Sequence, residues 1–170
     1  MGRSKMLVDI DGRAMALVVA DALRAGGCEP IALIGGSAIE LGPLGLPVVA
    51  DLHPGEGPLG GAITALAHFE SATHVLVAAC DLALLDGVTV RALLTTATST
   101  PDAAAVVART DRNEPGLVLW NRRVLDVLRS AFDDGARAVH RALSLVEVLT
   151  QQVDASVMHN VNRPDDVPCE

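Results

Sequence analysis

The chain has 170 residues and a formal net charge of −8; half of it is apolar, a fifth is charged and 2% is aromatic, with no tyrosine. That apolar fraction excludes a disordered chain, the length fits one domain, and the acidic balance argues against a binder of nucleic-acid backbones. So few aromatic rings leave little for stacking on single-stranded bases, and the core must come from Ala, Val and Leu.

Residues 14–25 read as a helix, with Asp21 and Arg24 on one face and Gly26-Gly27 as its stop. Residues 31–34 form a short apolar run ended by Gly35-Gly36, and 47–50 another, ended by Asp51. A Pro/Gly-rich loop leads into a helix over 60–70. The run over 74–80 is a continuous apolar strand ended by Asp81, followed by a helix over 88–97. Strands are expected at 103–108 and 117–120, helices at 121–132 and 136–145, and a last strand at 157–161. No internal repeat or low-complexity linker interrupts this order. Strands apolar along their whole length are buried on both faces, so the alternation predicts an α/β fold with a mostly parallel sheet between helix layers.

The apolar runs are far shorter than the roughly 20 residues of a membrane span. Asp9 and Asp11 break the stretch after the basic N-terminus, which spoils a signal-peptide core. Cys28, Cys80 and Cys169 are widely spaced and odd in number, which gives neither a disulfide framework nor a zinc set. A reducing cytoplasm is expected. Lys5 is the only lysine among many arginines, and Lys is a compact point charge suited to phosphate.

In sheets of this class ligands sit beyond the carboxyl ends of the strands, which directs attention to Gly35, Asp51 and Asp81. Gly57-Pro58-Leu59-Gly60-Gly61 opens a helix: it is either a close-approach cradle for a ligand or a rigid helix start. Asp81 either holds a hard cation such as Mg²⁺ or caps the next element. Asn160 and Asn162 flank Val161 and share a face if extended, although the same segment also carries turn signals. Arg112-Asn113-Glu114-Pro115 reads as a loop between two strands that could face an anionic ligand. The histidines have no ligand spacing, and no nucleophile elbow occurs.

Taken in order, these segments resemble the molybdenum cofactor guanylyltransferases, within the wider sugar-nucleotidyltransferase-like superfamily. Met1-Gly2-Arg3-Ser4-Lys5 is similar to the tail of the signature L-A-G-G-x-S-x-R-M-G-x-x-K, and residues 7–13 to the strand and turn that follow it. Asp51 with Gly57-Pro58-Leu59-Gly60-Gly61 resembles D-x(n)-G-P-L-x-G, and Ala79-Cys80-Asp81 resembles A-C-D. Arg112-x-x-Pro115 resembles a loop of the acceptor half, and Asn160-Val161-Asn162-x-Pro164-Asp165 the closing N-V-N-T-P-E-D, with Arg163 in place of Thr. The likeness covers essentially the whole chain, and the set in this order is specific.

The resemblance implies a three-layer Rossmann-like nucleotidyltransferase fold over residues 1–170, with its first strand and most of the phosphate loop missing and the natural start lying upstream. It also implies that these residues by themselves are not a competent enzyme. The implied reaction is GMP transfer from GTP to molybdopterin carrying molybdenum, with release of pyrophosphate. Lys5 and Asp81 would be catalytic, Asp81 holding Mg²⁺. Gly2, Arg3, Lys5, Gly35, Asp51, Gly57, Pro58, Leu59, Gly60 and Asp81 would bind the nucleotide, and Asn160, Asn162 and Arg112 would lie towards the acceptor. Molybdoenzymes or cofactor-synthesis proteins would be transient partners. Ala83 and Leu84 stand where the family usually has a Pro after the aspartate. The alternatives are a sibling enzyme, such as a cytidylyltransferase or a sugar-phosphate enzyme, and a non-catalytic remnant.

Overall fold

A computed structural model of the chain describes residues 4–161. Its strands are β1 (Asp9–Ile10), β2 (Arg13–Ala14), β3 (Leu33–Ile34), β4 (Val48–Val49), β5 (His74–Ala78), β6 (Ala105–Arg109), β7 (Asn113–Asn121) and β8 (Val148–Gln152). The helices are α1 (Met15–Gly26), α2 (Ala38–Leu41), α3 (Pro58–His68), α4 (Gly87–Ser99), α5 (Leu125–Asp133) and α6 (Val139–Leu143). Local chemistry sets their limits. Gly27 closes α1 in the left-handed conformation, donating back to Leu23 and Arg24. Asp86 caps α4 by accepting from the Thr89 amide at 2.7 Å. Pro58 occupies the first turn of α3, where its missing N–H costs nothing.

The central sheet has the order β5-β7-β6-β8, and β3 and β4 form a separate parallel pair. Alternate residues of the sheet go to opposite faces. Val75, Val107, Val118 and Trp120 pack with Leu59, Ile63, Leu128 and Phe132 on one side. Val106, Leu117 and Leu119 pack with Val19, Val90 and Leu93 on the other. This is the expected three-layer α/β arrangement, built from aliphatic side chains with one fully buried tryptophan.

Three expectations are corrected. The sheet is mixed: β7 runs antiparallel to both β5 and β6, while β6 and β8 are parallel. Residues 110–112 join β6 to β7 as a hairpin, and a parallel connection would need a dozen or more residues. Residues 157–161 are not a strand; Ser156–Met158 is a 3-10 turn, initiated by Asp154 accepting from the Ser156 amide at 2.8 Å. Finally, β8 occupies residues in which no strand was expected.

The outer edge of β5 and the outer edge of β3 line one apolar cavity of about 460 Å³.

Candidate active site

The strand-end residues fall into two groups. In the first, Asp81 follows β5 and its side chain is 18% exposed. Lys5 donates from Nζ to Asp81 Oδ2 at 2.7 Å, although the two are far apart in sequence. A 3-10 turn over Lys5–Leu7 carries the lysine, and Met6 and Leu7 pack against the Ala16–Leu33–Leu41 cluster, which anchors that turn. The Asp81 carbonyl accepts from the Val161 amide at 2.8 Å, bringing Asn160 beside this strand end. Val161 itself is buried with Ile10, Met15 and Ala83. Burial and the neighbouring Asp81 carboxylate push the Cys80 thiol up from its ordinary pKa, which disfavours the thiolate.

In the second group, Asp51 follows the β4 region and faces Gly35. The Gly35 amide donates to Val49 at 2.8 Å, and a side chain at Gly35 would lie 3.6 Å from the Asp51 Cβ. Thr64 of α3, one of two buried polar residues among those described, ties the loop together. Its hydroxyl lies 2.9 Å from both Asp51 Oδ1 and the Gly60 carbonyl, and it accepts from the Leu52 amide at 3.0 Å. The His53 amide also donates to Asp51 Oδ1, at 3.0 Å. One carboxylate oxygen is therefore committed to the loop, and Oδ2 faces Gly35.

Two glycines of this loop, Gly57 and Gly60, are needed where they stand. Gly57 has φ 98° and ψ 173°, a region essentially confined to glycine. A Cβ there would lie 3.0 Å from the Arg137 carbonyl, and one at Gly60 would lie 2.8 Å from the His53 Cβ. Leu59 is buried and its amide donates to that same Arg137 carbonyl at 3.0 Å. Arg137 also pairs with Glu56 at 3.0 Å, and its guanidinium lies 3.9 Å from the centre of the Phe132 ring. His53 packs on that ring, with centroids 4.2 Å apart. Thr64, Arg137 and His53 thus shape the loop, and sequence reading gave none of them a place in the site. Thr64 carried a faint signal, a hydroxyl one turn after Gly60 on an otherwise apolar helix; Arg137 and His53 carried none.

Arg112 is exposed on the β6–β7 hairpin and pairs with Glu114 at 3.5 Å. Asn160 is exposed. Gly2, Arg3 and Asn162 lie outside the described residues. Among the described residues no cluster of three or more His, Cys, Asp or Glu side chains could hold a metal ion by itself. Asp81 offers a single carboxylate, which suits Mg²⁺, since that ion keeps several waters and takes its other ligands from substrate phosphates.

A three-layer α/β domain with carboxylates and a glycine cradle at its strand ends is the architecture of a nucleotide-handling enzyme. The chain belongs to the MobA-like NTP transferase domain family, whose profile matches residues 1–150. It is 33% identical over 178 aligned residues to a molybdenum cofactor guanylyltransferase of Rhodopseudomonas palustris, covering 98% of this chain and 83% of that protein. Its fold matches the crystal structure of molybdopterin-guanine dinucleotide biosynthesis protein A from Archaeoglobus fulgidus with a TM-score of 0.70 at 22% identity, covering 97% of this chain and 87% of that one. It also matches Rv0371c of Mycobacterium tuberculosis, solved in complex with manganese, with a TM-score of 0.66 at 20% identity, covering 90% and 83% of the two chains. The chain is a nucleotidyltransferase by family.

Proposed function

We propose that this protein transfers GMP from GTP to molybdopterin carrying molybdenum, releasing pyrophosphate. The observation that carries the reading is the 33% identity to a molybdenum cofactor guanylyltransferase across 98% of the chain. An oxygen of the pterin's terminal phosphate forms the new bond to the α-phosphorus as the bond to the bridging β-phosphate oxygen breaks, and pyrophosphate leaves with that electron pair. The chemistry asks for alignment and charge neutralisation rather than a covalent enzyme intermediate.

Lys5 supplies a point charge to the nucleotide phosphates, and Asp81 is the ligand for Mg²⁺. When bound, that ion neutralises phosphate charge and orients the leaving group. The 2.7 Å contact supports this pairing of roles, because each group balances the other's charge in the chain alone. Asp51 Oδ2 and Gly35 take the nucleoside, and the loop from Gly57 to Gly60 gives the base close access to backbone groups. Asn160, Asn162 and Arg112 lie towards the pterin, with Gly2 and Arg3 beside the phosphates. Among the described residues, no helix is long and apolar enough to cross a membrane. Cys28 and Cys80 are free thiols, which supports a cytoplasmic setting. Molybdoenzymes that receive the product are the expected transient partners.

The test is label transfer from α-labelled GTP to molybdenum-loaded molybdopterin with Mg²⁺, using the protein expressed from its natural gene. A labelled pterin dinucleotide with an equal amount of pyrophosphate is expected. Transfer from CTP in preference to GTP would replace this reading with that of the cytidylyl sibling.

A further inference from the structure

Asp51 follows β4, and its carboxylate is gripped from two elements, its own loop and α3. Thr64 supplies the grip from α3. It is 2% exposed, in a helix whose Leu59, Ala62, Ile63, Ala65 and Leu66 are also buried. Valine has the same shape and would bury there without the cost of a desolvated hydroxyl. A helical threonine can satisfy its hydroxyl on the carbonyl one turn back, and the Gly60 carbonyl is 2.9 Å away. This hydroxyl does more: it accepts from the Leu52 amide at 3.0 Å and lies 2.9 Å from Asp51 Oδ1. It has one proton for two acceptors. The Gly60 carbonyl is a neutral helical acceptor that serves the amide four residues on. Oδ1 belongs to a carboxylate, and a charged acceptor makes the stronger bond, so the proton points to Asp51.

Oδ1 then holds two donors, the Thr64 hydroxyl and the His53 amide. The last torsion of an Asp side chain is broad and two-fold, so a single hydrogen bond leaves the carboxylate plane free to swing. A second donor, carried by α3 rather than by the loop, fixes it. Oδ2 is left on the side of Gly35, where a Cβ would lie 3.9 Å from it. We propose that Thr64 is a positioning residue for nucleotide binding: by fixing the plane of the Asp51 carboxylate, it presents Oδ2 as a preset acceptor for an N–H or O–H donor of the nucleoside. The inference rests on the reading that Asp51 and Gly35 take the nucleoside, and it gives a role to a residue buried behind them. An acceptor aligned in advance need not be ordered on binding, so its loss weakens substrate and transition state alike. The signature is a raised KM for GTP with kcat preserved.

Thr64→Val and Thr64→Ser test this, because they separate hydroxyl from shape. Thr64→Val keeps the β-branched volume and removes the hydroxyl. The Leu52 amide, on an exposed residue, then finds water, so the variant is expected to fold. Thr64→Ser keeps the hydroxyl and opens a methyl-sized gap in the core. In GTP titration and Mg²⁺-dependent transfer, Thr64→Val should raise Kd and KM for GTP about ten-fold, with kcat within about two-fold of wild type. Thr64→Ser should stay within about two-fold of wild type in all three, although it unfolds at lower urea. Asp51→Ala should weaken GTP binding, and adding Thr64→Val to it should cause no further loss, since Thr64 acts through that carboxylate. Affinity that simply follows the urea midpoint across the variants marks a merely structural threonine and overturns the inference. A Thr64→Val loss that persists in full in the Asp51→Ala background overturns it too. If Asp51→Ala weakens binding and Thr64→Val does not, the inference falls and the nucleoside reading stands. If Asp51→Ala leaves GTP binding unchanged, the reading of Asp51 fails and takes the inference with it.

Discussion

Replacing Gly57 by alanine should disable the loop proposed to take the nucleotide more than the same change at Gly55 or Gly61. The backbone there, at φ 98° and ψ 173°, costs a non-glycine residue about 1–3 kcal/mol. The new Cβ would also sit 3.0 Å from the Arg137 carbonyl, the acceptor of the Leu59 amide, so relief of the clash loosens a bond worth about 0.5–1.5 kcal/mol. Together these come to about 2–4 kcal/mol, a large share of a domain stability of about 5–15 kcal/mol. At this size each kcal/mol lowers Tm by about 2–4 °C, so a drop of roughly 10 °C is expected. Two controls isolate the cause. Gly55 has φ 78° with open space around it, so Gly55→Ala carries only a conformational cost of about 1–2 kcal/mol. Gly61 lies inside α3 with nothing within 4 Å, so Gly61→Ala should stabilise by about 0.5–1 kcal/mol. Urea unfolding of the three variants gives the ranking, and GTP titration should show at least about a ten-fold loss of affinity for Gly57→Ala. A Gly57→Ala loss no greater than that of Gly55→Ala would refute the contact with Arg137 as the reason for the glycine.

Four further outcomes are expected. Asp81→Asn should lower Mg²⁺-dependent transfer by orders of magnitude while costing about 1 kcal/mol or less of stability, because its ion pair with Lys5 is partly exposed; near-normal turnover would remove Asp81 from the metal site. Lys5→Arg keeps the charge but not its compact shape, and kcat/KM for GTP should fall about ten-fold; equal values would make Lys5 an ordinary surface residue. Trp120 is fully buried with its indole N–H unpartnered among the described residues, so Trp120→Phe should cost less than about 1.5 kcal/mol against about 3–5 for Trp120→Ala, as denaturant midpoints will show. Burial and then the Arg123 charge hold the His74 pKa below 6.5, so the folded state resists its protonation. Stability is therefore full above pH 6.5 and falls as the pH drops through the folded value, and His74→Gln should flatten that part of the profile.

What could be read from the sequence depended on where each segment sits. β5 was legible because residues 75–78 are continuously apolar, and the abrupt end of that run marked Asp81. β8 was not, because Val148 and Leu149 are its only apolar residues and Thr150, Gln151 and Gln152 lie at a sheet edge. β7 reaches back through Pro115 and Gly116, which read as loop, because a bulge between Val107 and Ala108 absorbs the irregularity. The 157–161 segment was misread because Val157, Met158 and Val161 are buried by a 3-10 turn rather than a strand. In the candidate site, the carboxylates and glycines were picked out by type and position. The residues that hold them were not: Arg137 reaches Gly57 and Leu59 only through the folded chain, by its backbone carbonyl, which no side-chain pattern announces.

Titration of the natural gene product with GTP, CTP and ATP, each with and without Mg²⁺, tests the central claim most directly. The account predicts that GTP binds at least about ten-fold more tightly than CTP or ATP, and that Mg²⁺ strengthens its binding in the wild type but not in Asp81→Asn. Equal affinity for the three nucleotides, or a Mg²⁺ effect that survives Asp81→Asn unchanged, would contradict it.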